Sequence, residues 1–213
     1  MPPWMTYGLL GVVAGPVVLT IARAVTHDER LAWTAFTRCG WGHLAAASGL
    51  LGAALACVAV HAPLEASALS WFVMVGLLLA LIDLTVHRLP HPINGALLAG
   101  SVIQLSFLAL LRSDFDPLLR AGLAAVVVTT AGFAVYVGSR QGLGFGDVVL
   151  LAPIAFVLGW FGWNQLFAGL MSAFLLAAVS MRLLRASRAG RRGDALALGP
   201  FLIISAVGAI LLT

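Results

Sequence analysis

The sequence predicts an all-α protein, a polytopic transmembrane bundle of about eight helical spans. Composition is the first observation behind this. The 213 residues are 62% hydrophobic and only 9% charged, whereas a soluble domain carries roughly 25% charged residues. Mean hydropathy, at +1.05, points the same way. The third observation is the recurrence of apolar stretches, most of them close to the about 20 residues a helix needs to cross hydrocarbon. Backbone groups in lipid must satisfy one another, so every such stretch should be helical.

The apolar runs fall at roughly 7–25, 43–63, 67–86, 92–111, 119–138, 147–161, 163–185 and 197–213. The sixth is short and follows a glycine-rich connection. The gap between the sixth and seventh is so small that it requires a tight hairpin. Two units are expected: residues 1–64, a transmembrane hairpin with a short cytoplasmic loop, and residues 65–213, the core that carries the chemistry. Tryptophans such as Trp71, Trp160 and Trp163 fit an interfacial belt. The opening residues lack a positive region before the first run, so no cleavable signal peptide is expected.

The net charge of +4 comes with no lysine: all twelve basic residues are arginine. In a soluble protein a pI near 10.0 would suggest nucleic acid. Here the charge lies in short loops and reads as topology, with no nucleic-acid partner expected. If the N-terminus is outside, Arg23, Arg30, Arg38, Arg88, Arg140, Arg182, Arg185, Arg188, Arg191 and Arg192 lie inside, and only Arg112 and Arg120 lie outside. An even number of spans then puts the C-terminus outside as well. The basic stretch 182–192 suits an anchor on anionic headgroups or a contact surface for a partner. Cys39 and Cys57 are 18 residues apart, about 27 Å along a helix, too far for a disulfide. His27, His43 and His61 have no metal-ligand spacing, and no metal site is expected.

Of the eight acidic residues, Asp28, Glu29, Glu65, Asp114, Asp116 and Asp194 fall in polar loops and read as solvated charges. Asp83 and Asp147 differ. Asp83 closes the run WFVMVGLLLALID, and Asp147 opens the run DVVLLAPIAFVLGW. Ionisable groups at membrane-embedded positions are costly and are functional candidates by default. The 64 positions between them (147 − 83) hold two spans, so both carboxylates return to the same, cytoplasmic side. Two carboxylates held close cannot both ionise easily and share a proton, which is the machinery of an aspartic protease. The competing structural reading is helix capping, with an ion pair such as Asp83–Arg88 and Asp147 on a helix dipole.

The flanking residues favour chemistry. Gly142-Leu-Gly-Phe-Gly146 precedes Asp147, and its glycines should permit positive φ and close approach of another chain. Asp83 is followed by Leu-Thr-Val-His-Arg-Leu-Pro90. His87, four residues after Asp83, reads as interfacial or as a hydrogen-bond partner of the pair. His91 reads as a polar loop residue. Pro90 and Pro92 suit the start of the fourth span.

Together these segments resemble the type IV prepilin peptidases, membrane aspartyl proteases of the GxGD kind. Asp83 with Arg88, Leu89 and Pro90 matches that family's first motif. Gly144, Gly146 and Asp147, with the run through Gly159-Trp160, match its second, and Gly199, Pro200 and Phe201 match a late Gly-Pro-Phe segment. The resemblance covers roughly residues 70–205. It implies Asp83 and Asp147 as the catalytic pair and Gly142, Gly144, Gly146, Arg88 and Pro90 as substrate-binding residues. It implies a multi-pass protein of the cytoplasmic membrane that needs no cofactor and cuts leaders from prepilin or pseudopilin precursors on the cytoplasmic face. Two departures stand out. Val149 occupies a position where family members often carry lysine. The loop 26–42 keeps only Cys39 of the two CxxC pairs that many members use, so N-methylation is expected to be absent or supplied elsewhere. A proton-coupled transporter with the aspartates as relays, or an inactive assembly protein of a pilus or secretion system, are the rival readings.

Overall fold

The computed structural model describes residues 1–26, 41–86, 89–138, 144–187 and 198–212. Eight helices run through them: α1 (Pro3–Thr26), α2 (Trp41–His61), α3 (Ala66–Val86), α4 (His91–Arg112), α5 (Asp116–Gly138), α6 (Phe145–Phe161), α7 (Trp163–Ser187) and α8 (Gly199–Leu211). No strand occurs among the described residues, as expected for an all-helical membrane bundle. Most of the loop with Cys39, His87, Arg88, Gly142 and residues 188–192 of the basic stretch lie outside the described residues.

The count of about eight spans needs refinement. Six helices, α1 to α5 and α7, are long and apolar enough to cross a membrane. The other two are shorter, 17 residues in α6 and 13 in α8. At about 1.5 Å per residue α6 is roughly 25 Å long, against about 30 Å of hydrocarbon. Protein takes the place of lipid around α6, which is buried almost throughout from Val148 to Trp160, whereas α8 buries one face through Leu202, Ile203, Ala206, Ala209 and Ile210 and leaves Ile204 exposed. α3 is the central long helix, with 56% of its apolar window buried against 17% for α5. One core, including Val18, Leu55, Phe72, Leu79, Ile154 and Leu202, joins helices from both ends of the chain.

Small residues set the closest approaches, as is usual where helices pack in lipid. A Cβ on Gly11 or Gly15 of α1 would lie 2.7 Å from the α2 backbone at Leu51-Gly52 or Ser48. In the α5–α6 pair, a Cβ on Gly159 would lie 2.6 Å from the Ala124 Cβ. The tight hairpin expected after the sixth run is a single residue, Gly162, at φ 151°, a backbone conformation that side chains disfavour.

Several polar residues expected in loops have structural partners. Arg120 donates through Nε to the Gly159 carbonyl at 2.8 Å and through Nη2 to the Trp160 carbonyl at 2.6 Å. It thereby satisfies the end of α6, where free carbonyls and the helix dipole favour a cation. Arg120→Leu is expected to lower stability by about 1–3 kcal/mol, read as a lower melting temperature in detergent. Glu65 is bridged to Arg112 at 2.9 Å, and Asp114 accepts the Asp116 amide at 3.1 Å. The tryptophan belt is only partly realised. Trp160 is buried, and Trp71 donates to the Ala96 carbonyl while lying against Gly100. Trp163 remains 40% exposed.

Candidate active site

Asp83 sits three residues before the end of α3 and is only 5% exposed. Its burial is compensated from an unexpected direction. The Gly199 amide at the start of α8 donates to Asp83 Oδ2 at 3.0 Å. An N-terminal helix amide is an orphan donor that favours an anion, so α3 and α8 each satisfy a need of the other. The approach requires glycine: a Cβ on residue 199 would lie 2.8 Å from Asp83 Oδ2 and 3.4 Å from its Cβ and Cγ. Pro200 follows within the first turn, where a missing N–H costs nothing.

Asp147 is the third residue of α6, which begins at Phe145 rather than at Asp147 itself. Gly144 is the N-cap, and its carbonyl accepts the Asp147 and Val148 amides at 3.1 and 3.2 Å. The Asp147 carboxylate turns back toward the Gly144 main chain, as an acid at this helix position does in one half of a capping box. Capping of Asp147 is therefore real, but it leaves the carboxylate half-buried and within coulombic reach of Asp83. The two acids, far apart in sequence, thus interact.

The flanking motifs also touch. A Cβ on Gly146 would meet the Leu89 Cβ at 3.2 Å and Cδ1 at 3.4 Å, so the glycine lets the α6 start rest on buried Leu89. Gly144 and Gly146 do not use positive φ: Gly144 has φ −72°, and among the described residues only Gly162 is a positive-φ glycine. Pro90 is the N-cap of α4 at φ −67° and ψ 119°, and its carbonyl accepts the Ile93 and Asn94 amides. His91 is not a loop residue. It opens α4 and meets the Phe145 ring edge-on at 5.6 Å, while the Tyr136 ring of α5 lies 5.7 Å from that of Phe145. Arg88 and Gly142 lie outside the described residues. Gly199 was not among the expected site residues, although a Gly-Pro pair opening an apolar run signals a helix start. Among the described residues no three His, Cys, Asp or Glu side chains group to hold a metal.

Fold and site together define a multi-pass helical membrane protein in which two helix-borne carboxylates lie within coulombic reach of one another near one end of the bundle. A family model described as the type IV leader peptidase family matches residues 69–184, more than half of the 213 residues. The chain belongs to that family, and is a peptidase. A search of curated proteins and a search of solved structures each returned no significant match. The matched range includes Asp83 and Asp147 and stops short of Gly199.

Proposed function

We propose that the chain is an aspartic endopeptidase that removes the leader from type IV prepilin-like or pseudopilin-like precursors, with Asp83 and Asp147 as its catalytic pair. The observation that carries this reading is the convergence of these two carboxylates from α3 and α6, with a buried amide donated to one of them. Sharing one proton, the ionised member takes a proton from a water, which attacks the scissile carbonyl. The protonated member donates to the carbonyl oxygen. The C–N bond then breaks as the leaving nitrogen takes up a proton. The residues of the pair act as one titrating unit. This chemistry calls for no cofactor.

Gly144 is exposed beside Asp147 and leaves room for an extended peptide; with Gly146, Gly142, Arg88 and Pro90 it is assigned to substrate binding. The precursor is itself an apolar helix with a basic head. At about 25 Å, α6 is shorter than the roughly 30 Å of hydrocarbon, which suits a site open to such a substrate from the bilayer. The arginine distribution supports a cytoplasmic site in the cytoplasmic membrane with both termini outside. Arg112 and Arg120 belong to the end of the bundle opposite the pair, consistent with that orientation. The lipid bilayer and the precursor are the expected partners, and nucleic acid is not. A relay in a transporter would sit nearer mid-membrane, whereas Asp83 and Asp147 lie within three residues of helix ends.

The test is co-expression in membranes with a prepilin-like precursor, following leader removal on a gel. The wild-type chain should shorten the precursor, with Asp83→Asn and Asp147→Asn as the comparison. A full-length precursor beside wild-type protein, or normal trimming by either variant, would count against the assignment.

A further inference from the structure

Asn94 is 2% exposed, and among the described residues neither its Oδ1 nor its Nδ2 has a hydrogen-bond partner. Burying an amide unpaired is costly, and replacing it by an apolar group of the same shape should stabilise the fold. The hydroxyls of Ser70, Thr129 and Ser205 are also unpaired, but a helical hydroxyl can turn to its own helix's carbonyls. A carboxamide has both a donor and an acceptor to satisfy, and a helix carbonyl answers only the donor, as the Gly100 carbonyl does for Gln104 Nε2 at 3.2 Å.

The position of Asn94 gives the orphan a direction. Its amide bonds to the Pro90 carbonyl at 3.2 Å, so it lies one turn beneath the Leu89-Pro90 segment that rests against Gly146. It shares the buried face of α4 with Leu97, Ser101, Leu105 and Ala109. α4 packs against both α3, which carries Asp83, and α6, which carries Asp147. Helical side chains lean toward the N-terminus of their helix, and for α4 that is the end with the carboxylate pair.

Resting on the peptidase reading above, we propose that Asn94 is a substrate-binding residue whose carboxamide pairs with a main-chain peptide group of the unwound precursor, one turn of α4 below Pro90. A helix in lipid satisfies its own backbone. Cleavage requires it to unwind, which frees N–H and C=O groups where water is scarce. A carboxamide offers one acceptor and two donor hydrogens, so a single side chain answers both needs of a peptide group. Among the described residues Asn94 is unpaired, and the substrate completes it.

The experiment compares full-length wild type, Asn94→Leu and Asp147→Asn, each purified in detergent, for melting temperature and for cleavage of a prepilin-like precursor. Leucine nearly matches asparagine in shape. Asn94→Leu is expected to melt above wild type while its kcat/KM falls on the order of 10- to 100-fold, with the shape of the pH profile unchanged. A lower melting temperature overturns the inference, because the carboxamide would then be paired in the resting fold. So does an unchanged kcat/KM. A displaced pH profile overturns it too, since Asn94 would then act through the carboxylates. If Asp147→Asn is inactive and Asn94→Leu cuts normally, only the role of Asn94 falls. A wild-type chain that cuts nothing removes the peptidase reading and this inference with it.

Discussion

Asp83→Asn and Asp147→Asn are each expected to leave a prepilin-like precursor full length, with processing reduced on the order of 10²–10⁴-fold or more. Asparagine keeps the size and most of the hydrogen bonding of aspartate but can neither accept nor release the transferred proton. In Asp147→Asn the side-chain oxygen can still turn back toward the Gly144 main chain, so α6 should keep its cap. In Asp83→Asn the Gly199 amide can still donate to the side-chain oxygen. Both variants should therefore fold, and the loss should fall on kcat. The two losses should not add in the double variant, because the pair acts as one unit. Membrane abundance and leader removal measured on the same samples separate this outcome from simple misfolding.

Gly199→Ala is the second large effect, and it is expected to cost both stability and turnover. The added Cβ would stand 2.8 Å from Asp83 Oδ2, with Asp83 Cβ and Cγ at 3.4 Å, so α8 or the carboxylate must move. Overpacking of this kind costs about 1–3 kcal/mol, and the 3.0 Å bond from the Gly199 amide would be strained with it. Processing should fall at least about tenfold, since a displacement of tenths of an ångström to 1 Å at a reacting group is felt strongly. Gly146→Ala provides a graded comparison. Its Cβ would meet Leu89 at 3.2 Å and beyond, and leucine can yield a few tenths of an ångström. A milder loss of melting temperature and cleavage rate is expected there. Equal losses in the two variants would undo the argument from close approach at Asp83.

Much of the site was legible because membranes impose strong rules. In a chain with 9% charge, an aspartate at the end of an apolar run stands out against its surroundings, and Asp83 and Asp147 were found in that way. Counting two spans between them predicted that they return to one side, and they do interact across the bundle. The tight turn at Gly162 followed from the missing loop length. Other residues gave no such contrast. Asn94, near a helix start, carries no signal in the sequence that sets it apart. Arg120 and Glu65 looked like solvated loop charges until their partners Gly159, Trp160 and Arg112 were seen. The glycines before Asp147 pointed to turn conformations, whereas Gly146 is used for contact with Leu89.

What the sequence determined by itself is therefore the helical class, the approximate helix order and the identity of the two acids. Each follows from a local property: the apolar length needed to cross lipid, the obligatory internal bonding of the backbone, and the expense of a charge among apolar residues. The tertiary structure alone decided that α8 delivers an amide to Asp83, that Leu89 supports Gly146, and that Asn94 is buried with no hydrogen-bond partner among the described residues. Most of these helices are apolar on every side, so no stripe in the sequence says which face turns inward. That choice is made by small residues and a few polar groups meeting across helices, and such contacts exist only once the bundle is assembled.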